Sequence, residues 1–432
     1  MGRFLFSSRI TTVLTMIGVS VGLGNVWRFP YMMGKYGGSA FLFIYLLFAL
    51  LFAIPALTAE WAFGRETRQG PVGAFSQVWG KTTGRLIGGL LLTTALIADS
   101  YYLVVIANVA DTTFFSFYHG FDSSSIAAFN KSLNNGLLQY SIAIAILLLS
   151  LWVIYRGLNK GIELVSKIFV PFFLVTIIYL IYAALTMDGA VEKALAFLKP
   201  DFSLISAEVV FAALGQAFFS LGLGGTFLLL YGSYMRNDQN IPKSALLAGF
   251  GDVSAALLAG LFIVPSILVF NLDMTSGPSL IFSTLPQLFA TMPAGRWLGS
   301  LFLISLTMMA FLSNIAALEV FVGGIADWPG LKLSRNKAIL MVGIIEAALI
   351  LPSALYPPLI GHLDLIFGSG MQTLGSALVI LALFWGMSRS TVLQQVFGHG
   401  KGTLSTVYYR WMKWVIPAVL LVVLITYIYN SI

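Results

Sequence analysis

The run Gly18-Val19-Ser20-Val21-Gly22-Leu23-Gly24-Asn25 lies inside the first long apolar segment and is followed at once by Trp27-Arg28-Phe29-Pro30. A helix that stops inside hydrocarbon leaves N–H and C=O groups that must be satisfied within the protein or by a polar cavity. Such a break offers amides and carbonyls to a ligand, which is the chemistry of binding. The sixth apolar segment repeats the anomaly with Ser220-Leu221-Gly222-Leu223-Gly224-Gly225. Interrupted helices at matching positions of two halves of a chain point to a transport site near the bilayer midplane. Asp252 also falls within an apolar segment. An ionisable group there costs about 2.5–3.5 kcal/mol on insertion scales and is functional by default.

The elements that must position these residues follow from composition. The 432 residues are 58% hydrophobic and 9% charged, with a mean hydropathy of +0.91, which excludes an ordinary soluble or a disordered chain. Eleven stretches reach the length of about 20 residues needed to cross hydrocarbon: 10–34, 39–61, 86–115, 137–155, 164–185, 205–234, 244–270, 297–325, 338–355, 359–386 and 411–430. Barrel strands would be shorter and alternating. The expectation is an all-α polytopic membrane protein forming one domain, residues 1–432. The two breaks lie five segments apart, so two inverted halves are expected over about 10–186 and 204–387, with an appended helix over about 411–430.

Cytoplasmic loops carry the excess of Lys and Arg. With the N-terminus inside, only Lys35, Lys131, Lys193, Lys199 and Arg296 of the 24 basic residues fall outside, and Arg28 lies within a span. A cell-membrane protein with a cytoplasmic N-terminus and an extracellular C-terminus is expected. The net charge of +7 is then a topology signal, and no nucleic-acid partner is expected. The first segment is too long for a signal-peptide core. The chain has no cysteine and three scattered histidines, so neither a thiolate metal site nor a catalytic triad is expected, which argues against an enzyme.

Gly22-Leu23-Gly24-Asn25-Val26-Trp27-Arg28-Phe29-Pro30, with Gly37-Gly38 after it, resembles the first span of the neurotransmitter:sodium symporter family. Similar matches are Gln216-Ala217-Phe218-Phe219-Ser220-Leu221-Gly222, Tyr231-Gly232-Ser233-Tyr234, Arg156-Gly157 with Lys160-Gly161-Ile162-Glu163, and Leu333-Ser334-Arg335. The eleven-span form resembles its bacterial amino-acid branch. The resemblance implies a 5+5 inverted-repeat fold with broken helices 1 and 6 and sodium-coupled uptake by alternating access.

Sodium is a hard cation that takes oxygen ligands. By the resemblance, the first sodium site is formed by the Ser20 carbonyl with Asn25, Ser220 and Asp252. A fixed carboxylate at Asp252, with Ala256 one turn on, implies no chloride requirement. The second site maps to the carbonyls of Gly18, Val21 and Met309 with side chains at Leu312 and Ser313. Leucine stands there in place of an oxygen ligand, so this site is weakened, lost, or rebuilt with Asn314 after a one-residue slip.

For the substrate, Gly22 and Gly24 leave room for an amino-acid carboxylate beside Ser20 and Ser220, where amine-transporting relatives carry an aspartate at the position of Gly22. Tyr102 matches the tyrosine that binds that carboxylate, and Phe219 the aromatic lid. Ala98, Gly222, Gly225, Ser313 and Ala317 line the side-chain pocket, and their small size implies a large neutral side chain, aromatic before aliphatic. Asp99 and Asn314 stand at its distal end, where a carboxylate could accept from a hydroxyl or indole, pair with a cation, carry a proton or serve structure. Arg28 with Asp364 matches the outer gate, and Arg3 with Asp327, near Tyr234, the inner one. Glu60 matches a glutamate that holds broken-helix amides, and Glu319 reads as a packing or proton-sensitive group. Gly161 and Pro171 are helix weakeners in segment five. The partners expected are an amino acid, sodium and the lipid bilayer, with no obligate protein. A proton-coupled or uncoupled exchanger for a polar or cationic side chain is the rival, motivated by Leu312 and Asp99.

Overall fold

The computed structural model describes residues 5–121, 125–275, 277, 280–328, 333–397 and 403–431, and the regular elements among them are all helical. In the first span Ser8 and Thr11 form a reciprocal cap, each side chain taking the other's backbone N–H, which removes two of the donors a helix start leaves free. Helix α1 (Arg9–Ser20) then stops, Val21 is extended, and α2 (Gly24–Lys35) resumes at 59° to it. The chain continues through α3 (Ser39–Thr67), α4 (Lys81–Tyr118), α5 (Gly136–Tyr155) and α6 (Leu158–Leu185).

The sixth span is split. Ser206 caps α7 (Ala207–Ser220), and α8 (Phe227–Ser233) follows after an irregular stretch. Gly222 and Gly225 sit at φ +66° and +72°, backbone that a side chain makes strained. Then come α9 (Ile241–Val269), α10 (Gly295–Ala326), α11 (Arg335–Leu355), α12 (Pro358–Gly386) and α13 (Ser405–Thr426). Among the described residues nine helices are long and apolar enough to cross a membrane, ten with the bent pair α1 and α2 counted as one span, and α7 is a shorter apolar helix.

The spans sort into two groups. Helices α1 and α2, α3, α7 and α8, and α9 pack together, while α4, α5, α10 and α11 pack against one another. Helix α6 touches α1, α9 and α10, and α13 lies on α12. Both breaks therefore lie in one group and face α4 and α10 of the other, and residues from both groups line the cavity between them.

Candidate functional site

The end of α1 is held by a closed set of hydrogen bonds. Gly22 N–H donates to Asn25 Oδ1 at 3.0 Å, and Asn25 Nδ2 donates to Asp252 Oδ1 at 2.7 Å and to Ser220 Oγ at 2.9 Å. Ser220 Oγ donates in turn to Asp252 Oδ2 at 2.7 Å. The break of α1, the end of α7 and the middle of α9 thus meet at one point. Asp252 is 1% exposed and its hydrogen-bond partners are neutral. A buried carboxylate without a counter-charge is costly, and oxygen donors of this kind match a hard monovalent cation. Ala256, one turn further along α9, is fully buried and supplies no second charge.

Around Gly18, where the resemblance puts a second cation position, the two nearest side-chain atoms are carbon. A Cβ on Gly18 would lie 3.1 Å from Leu312 Cδ1 and 3.2 Å from Val170 Cγ2, and the Ser313 hydroxyl is engaged with the carbonyls of Val19 and Met309 at 3.2 and 3.4 Å. Asn314 does not slip round to replace Leu312. Its Nδ2 donates to both oxygens of Asp99 at 3.1 Å, and its Oδ1 accepts from Ser150 Oγ at 2.6 Å.

A cavity of about 510 Å³, within the range of about 300–1,000 Å³ usual for small-molecule sites, opens beside the cluster of Asn25, Ser220 and Asp252. Ser20, Gly22, Gly24, Ala98, Tyr102, Phe219, Ser220, Gly222, Ser313 and Ala317 line it, with Asn25, Arg28, Asp99 and Asp364. A Cβ on Gly22 would meet Ser313 Oγ at 3.0 Å and the Tyr102 hydroxyl at 3.3 Å, so only glycine keeps that wall open. A Cβ on Gly24 would fall 2.7 Å from Phe219 Cε1, and the Arg28 guanidinium lies over that ring at 4.1 Å from its centroid. Phe219 thus touches both the bare backbone of Gly24 and a cation. Tyr101 donates to Asp364 Oδ1 at 2.9 Å.

Gly225 departs from its expected place. It packs on α12, where its Cβ would lie 2.8 Å from the Gly375 carbonyl and 3.0 Å from Val379, and it does not line the cavity. Its role is the φ +72° turn and the close approach of two backbones. Glu60 holds this turn, since its Oε1 accepts from the N–H groups of Gly224 and Gly225 at 3.0 Å each. Across the other break, Gln216 Nε2 donates to the Gly24 carbonyl at 3.3 Å.

The opposite end of the bundle is closed. Tyr234 Oη donates to Glu319 Oε1 at 2.7 Å, and Arg335 grips the same carboxylate at 2.7 and 3.1 Å. Phe6 is buried against Tyr231 and Tyr234 and donates its N–H to the Tyr234 carbonyl. Ser7 donates through N and Oγ to Glu163 at 2.8 and 2.5 Å. In the loop beyond α8, hydrogen bonds from Arg236 hold the Asp238 carboxyl below its usual range. Arg3 lies outside the described residues, and Asp327 Oδ2 accepts from Gly70 N–H at 2.9 Å. Gly161 lies in a wide helical turn where a Cβ would strike the Val153 carbonyl, so it serves close packing at the start of α6, while Pro171 sits within α6. Arg335, Glu163 and Gln216 belong to motifs conspicuous in the sequence, but their partners come from elements remote in the chain.

Comparison with known proteins agrees with this geometry. A family model described as "Sodium:neurotransmitter symporter family" matches residues 3–124 and 121–431. An uncharacterized sodium-dependent transporter, YhdH, of Bacillus subtilis (strain 168) is 28% identical, covering 98% of this chain and 97% of the relative. Another from Methanocaldococcus jannaschii is 29% identical over 89% of this chain and 82% of its own. Among solved structures, MhsT in complex with L-phenylalanine superposes with a TM-score of 0.88 at 30% identity, covering 99% of this chain and all of that one. A match of this extent, on a chain whose two broken spans meet at a buried carboxylate, is decisive: the protein is a multi-pass membrane protein and belongs to the sodium:neurotransmitter symporter family.

Proposed function

We propose that this protein is a sodium-coupled symporter that imports a large neutral amino acid, aromatic before aliphatic, without a chloride requirement. The observation that carries the reading is the cluster of Asn25, Ser220 and Asp252 at the edge of a cavity that Ala98, Gly222, Phe219, Ser313 and Ala317 help to line. Asp252 supplies the negative charge for one sodium, together with oxygens of Ser20, Asn25 and Ser220. The substrate carboxylate takes the place beside Gly22 and Tyr102, and its side chain lies along Ala98, Gly222, Ser313 and Ala317 under Phe219. Transport of L-phenylalanine or a similar side chain is consistent with the ligand of the MhsT structure.

Leu312 in van der Waals reach of Gly18 supports a coupling ratio of one sodium rather than two. The cavity reaches Arg28 and Asp364, while Glu319 and Arg335 close the other end, which corresponds to an outward-facing state if the basic loops are cytoplasmic. On that orientation the N-terminus is inside and the C-terminus outside in the cell membrane. The inverted halves, about 10–186 and 204–387, rearrange around the site, and the helix over about 411–430 is peripheral. Arg28 with Asp364 gates the outer side. Asp327 and Tyr234, with Arg3, serve the inner side, joined by Glu319 and Arg335. No obligate protein partner is needed for this cycle.

Ligand binding stabilises the folded state that binds it. A thermal-shift screen of the twenty amino acids in sodium and in potassium salts is expected to give its largest shift with phenylalanine, tyrosine, tryptophan or leucine, in sodium only and unchanged when chloride is replaced by gluconate. Equal shifts in potassium, or a response confined to basic amino acids, would overturn the reading.

A further inference from the structure

Behind the wall of the substrate cavity lies a second acidic site. Asp99 on α4 lines the cavity, is 3% exposed, and takes both hydrogen bonds of the Asn314 amide from α10. Asn314 is fixed in turn by Ser150 from α5. Glu346 on α11, a helix that packs against α4, completes the set: it is 0% exposed, neither of its oxygens has a hydrogen-bond partner among the described residues, and the charge of Asp99 acts on it. Four mutually packed helices thus surround two carboxyl groups, one amide and one hydroxyl.

Several charged groups on the surrounding elements have partners of their own. On α4, Asp111 accepts from Ser132 and Gln139. Glu319 of α10 binds Arg335 of α11, and Lys337 is exposed. Tyr140 of α5 donates to the Ala347 carbonyl. Across the cavity, Arg28 lies on Phe219, and Asp364 takes the Tyr101 hydroxyl. Tyr102 shares the cavity wall with Asp99.

We propose that Asp99 and Glu346 form a proton site whose occupancy is linked to substrate binding. Two neighbouring carboxyls without a counter-charge do not both ionise, and an unpartnered carboxylate buried in a membrane span is strongly disfavoured. Glu346 does not line the cavity, so a cationic side chain has no path to it. A proton needs no room, and it passes between solvent and Glu346 by way of Asp99, leaving one carboxyl neutral and the other ionised or neutral. An apolar side chain seated against Asp99 excludes the water that supports its charge, so binding draws a proton onto the pair. By linkage, affinity then falls with rising pH, by up to about tenfold per pH unit where the empty pair loses its proton. This rests on the transport reading above, and the first arm of the test needs no substrate.

Infrared difference spectra of wild type minus Glu346→Gln, taken without substrate, are expected to show a protonated carboxyl band lost in the variant. Loss of an ionised carboxylate band in its place would overturn the proposal. In the second arm, L-phenylalanine is titrated into wild-type protein at saturating sodium in buffers of different ionisation enthalpy. The expected result is proton uptake approaching one per substrate at alkaline pH, abolished in Glu346→Gln. Buffer-independent heats at every pH at which the protein is folded would overturn the linkage, and wild-type protein alone suffices for that result. Absence of any heat with L-phenylalanine would refute the substrate assignment, while the infrared arm still decides the proton site.

Discussion

Replacing Asp252 by alanine separates the cation site from the fold. The carboxylate accepts two short hydrogen bonds, from Asn25 and Ser220 at 2.7 Å each, and bonds to a charged group contribute about 1.5–3 kcal/mol each, so removing it forfeits roughly 3–6 kcal/mol. Against that, an ionised carboxylate in a span costs about 2.5–3.5 kcal/mol, a cost the alanine does not bear. Asn25 and Ser220 keep their mutual bond at 2.9 Å, and Asn25 keeps its bond to Gly22. The net loss without sodium is therefore about 0–3 kcal/mol, a protein that still folds. With sodium at a hundred times its dissociation constant, wild type gains about 2.7 kcal/mol by mass action, and Asp252→Ala gains none. Thermal unfolding in sodium against potassium salts reads this difference directly. A variant that retains the wild-type sodium shift, or that binds substrate as well in sodium as wild type does, would refute the assignment.

Gly24→Ala puts a methyl 2.7 Å from Phe219 and disturbs a cation–π contact worth about 0.5–2 kcal/mol. Substrate affinity is expected to fall roughly 2- to 30-fold by calorimetry while the sodium-only thermal shift is kept. Arg335→Ala leaves Glu319 buried at 1% exposure without its cation, a change of about 3–5 kcal/mol. In this cysteine-free chain, a reporter cysteine introduced at Ser233 should then react with a thiol reagent faster by about tenfold or more, and an unchanged rate would exclude a gating role for the pair. Sodium dependence of substrate binding is expected to be first order in wild type, and Leu312→Thr, which restores a hydroxyl facing the Gly18 region, should steepen it. A second-order wild-type curve would show that carbonyls alone suffice at the second position.

Much of the site is readable before folding because its chemistry is local. A glycine-rich interruption in an apolar segment announces itself in the order of residues, and its recurrence five segments later needs only hydropathy to be seen. The grouping of Ser220, Asp252 and Asn25 comes from the family resemblance, and the structure brings the three side chains into contact. Gly225 shows the limit of that reasoning. It lies three residues from Gly222, which faces open space, yet it turns to meet the Gly375 backbone, and one-dimensional spacing across irregular backbone does not determine direction. Asn314 shows the same limit, since a one-residue difference in register on α10 decides whether its amide serves a cation or Asp99.

By itself the sequence determined that the chain is a helical membrane protein and where its two breaks fall, because bilayer thickness and the cost of unsatisfied polar groups act on any chain in the same way. Only the tertiary structure decided which polar residues meet. Glu319 is matched with Arg335 and Tyr234, Glu163 with Ser7, Glu60 with the turn of α7 into α8, and Glu346 is left alone beside Asp99. Each of these contacts joins segments that are separate in the chain, so it depends on how the helices pack against one another. Packing of long apolar helices is set by side-chain fit rather than by polarity pattern, and that fit exists only in the assembled molecule.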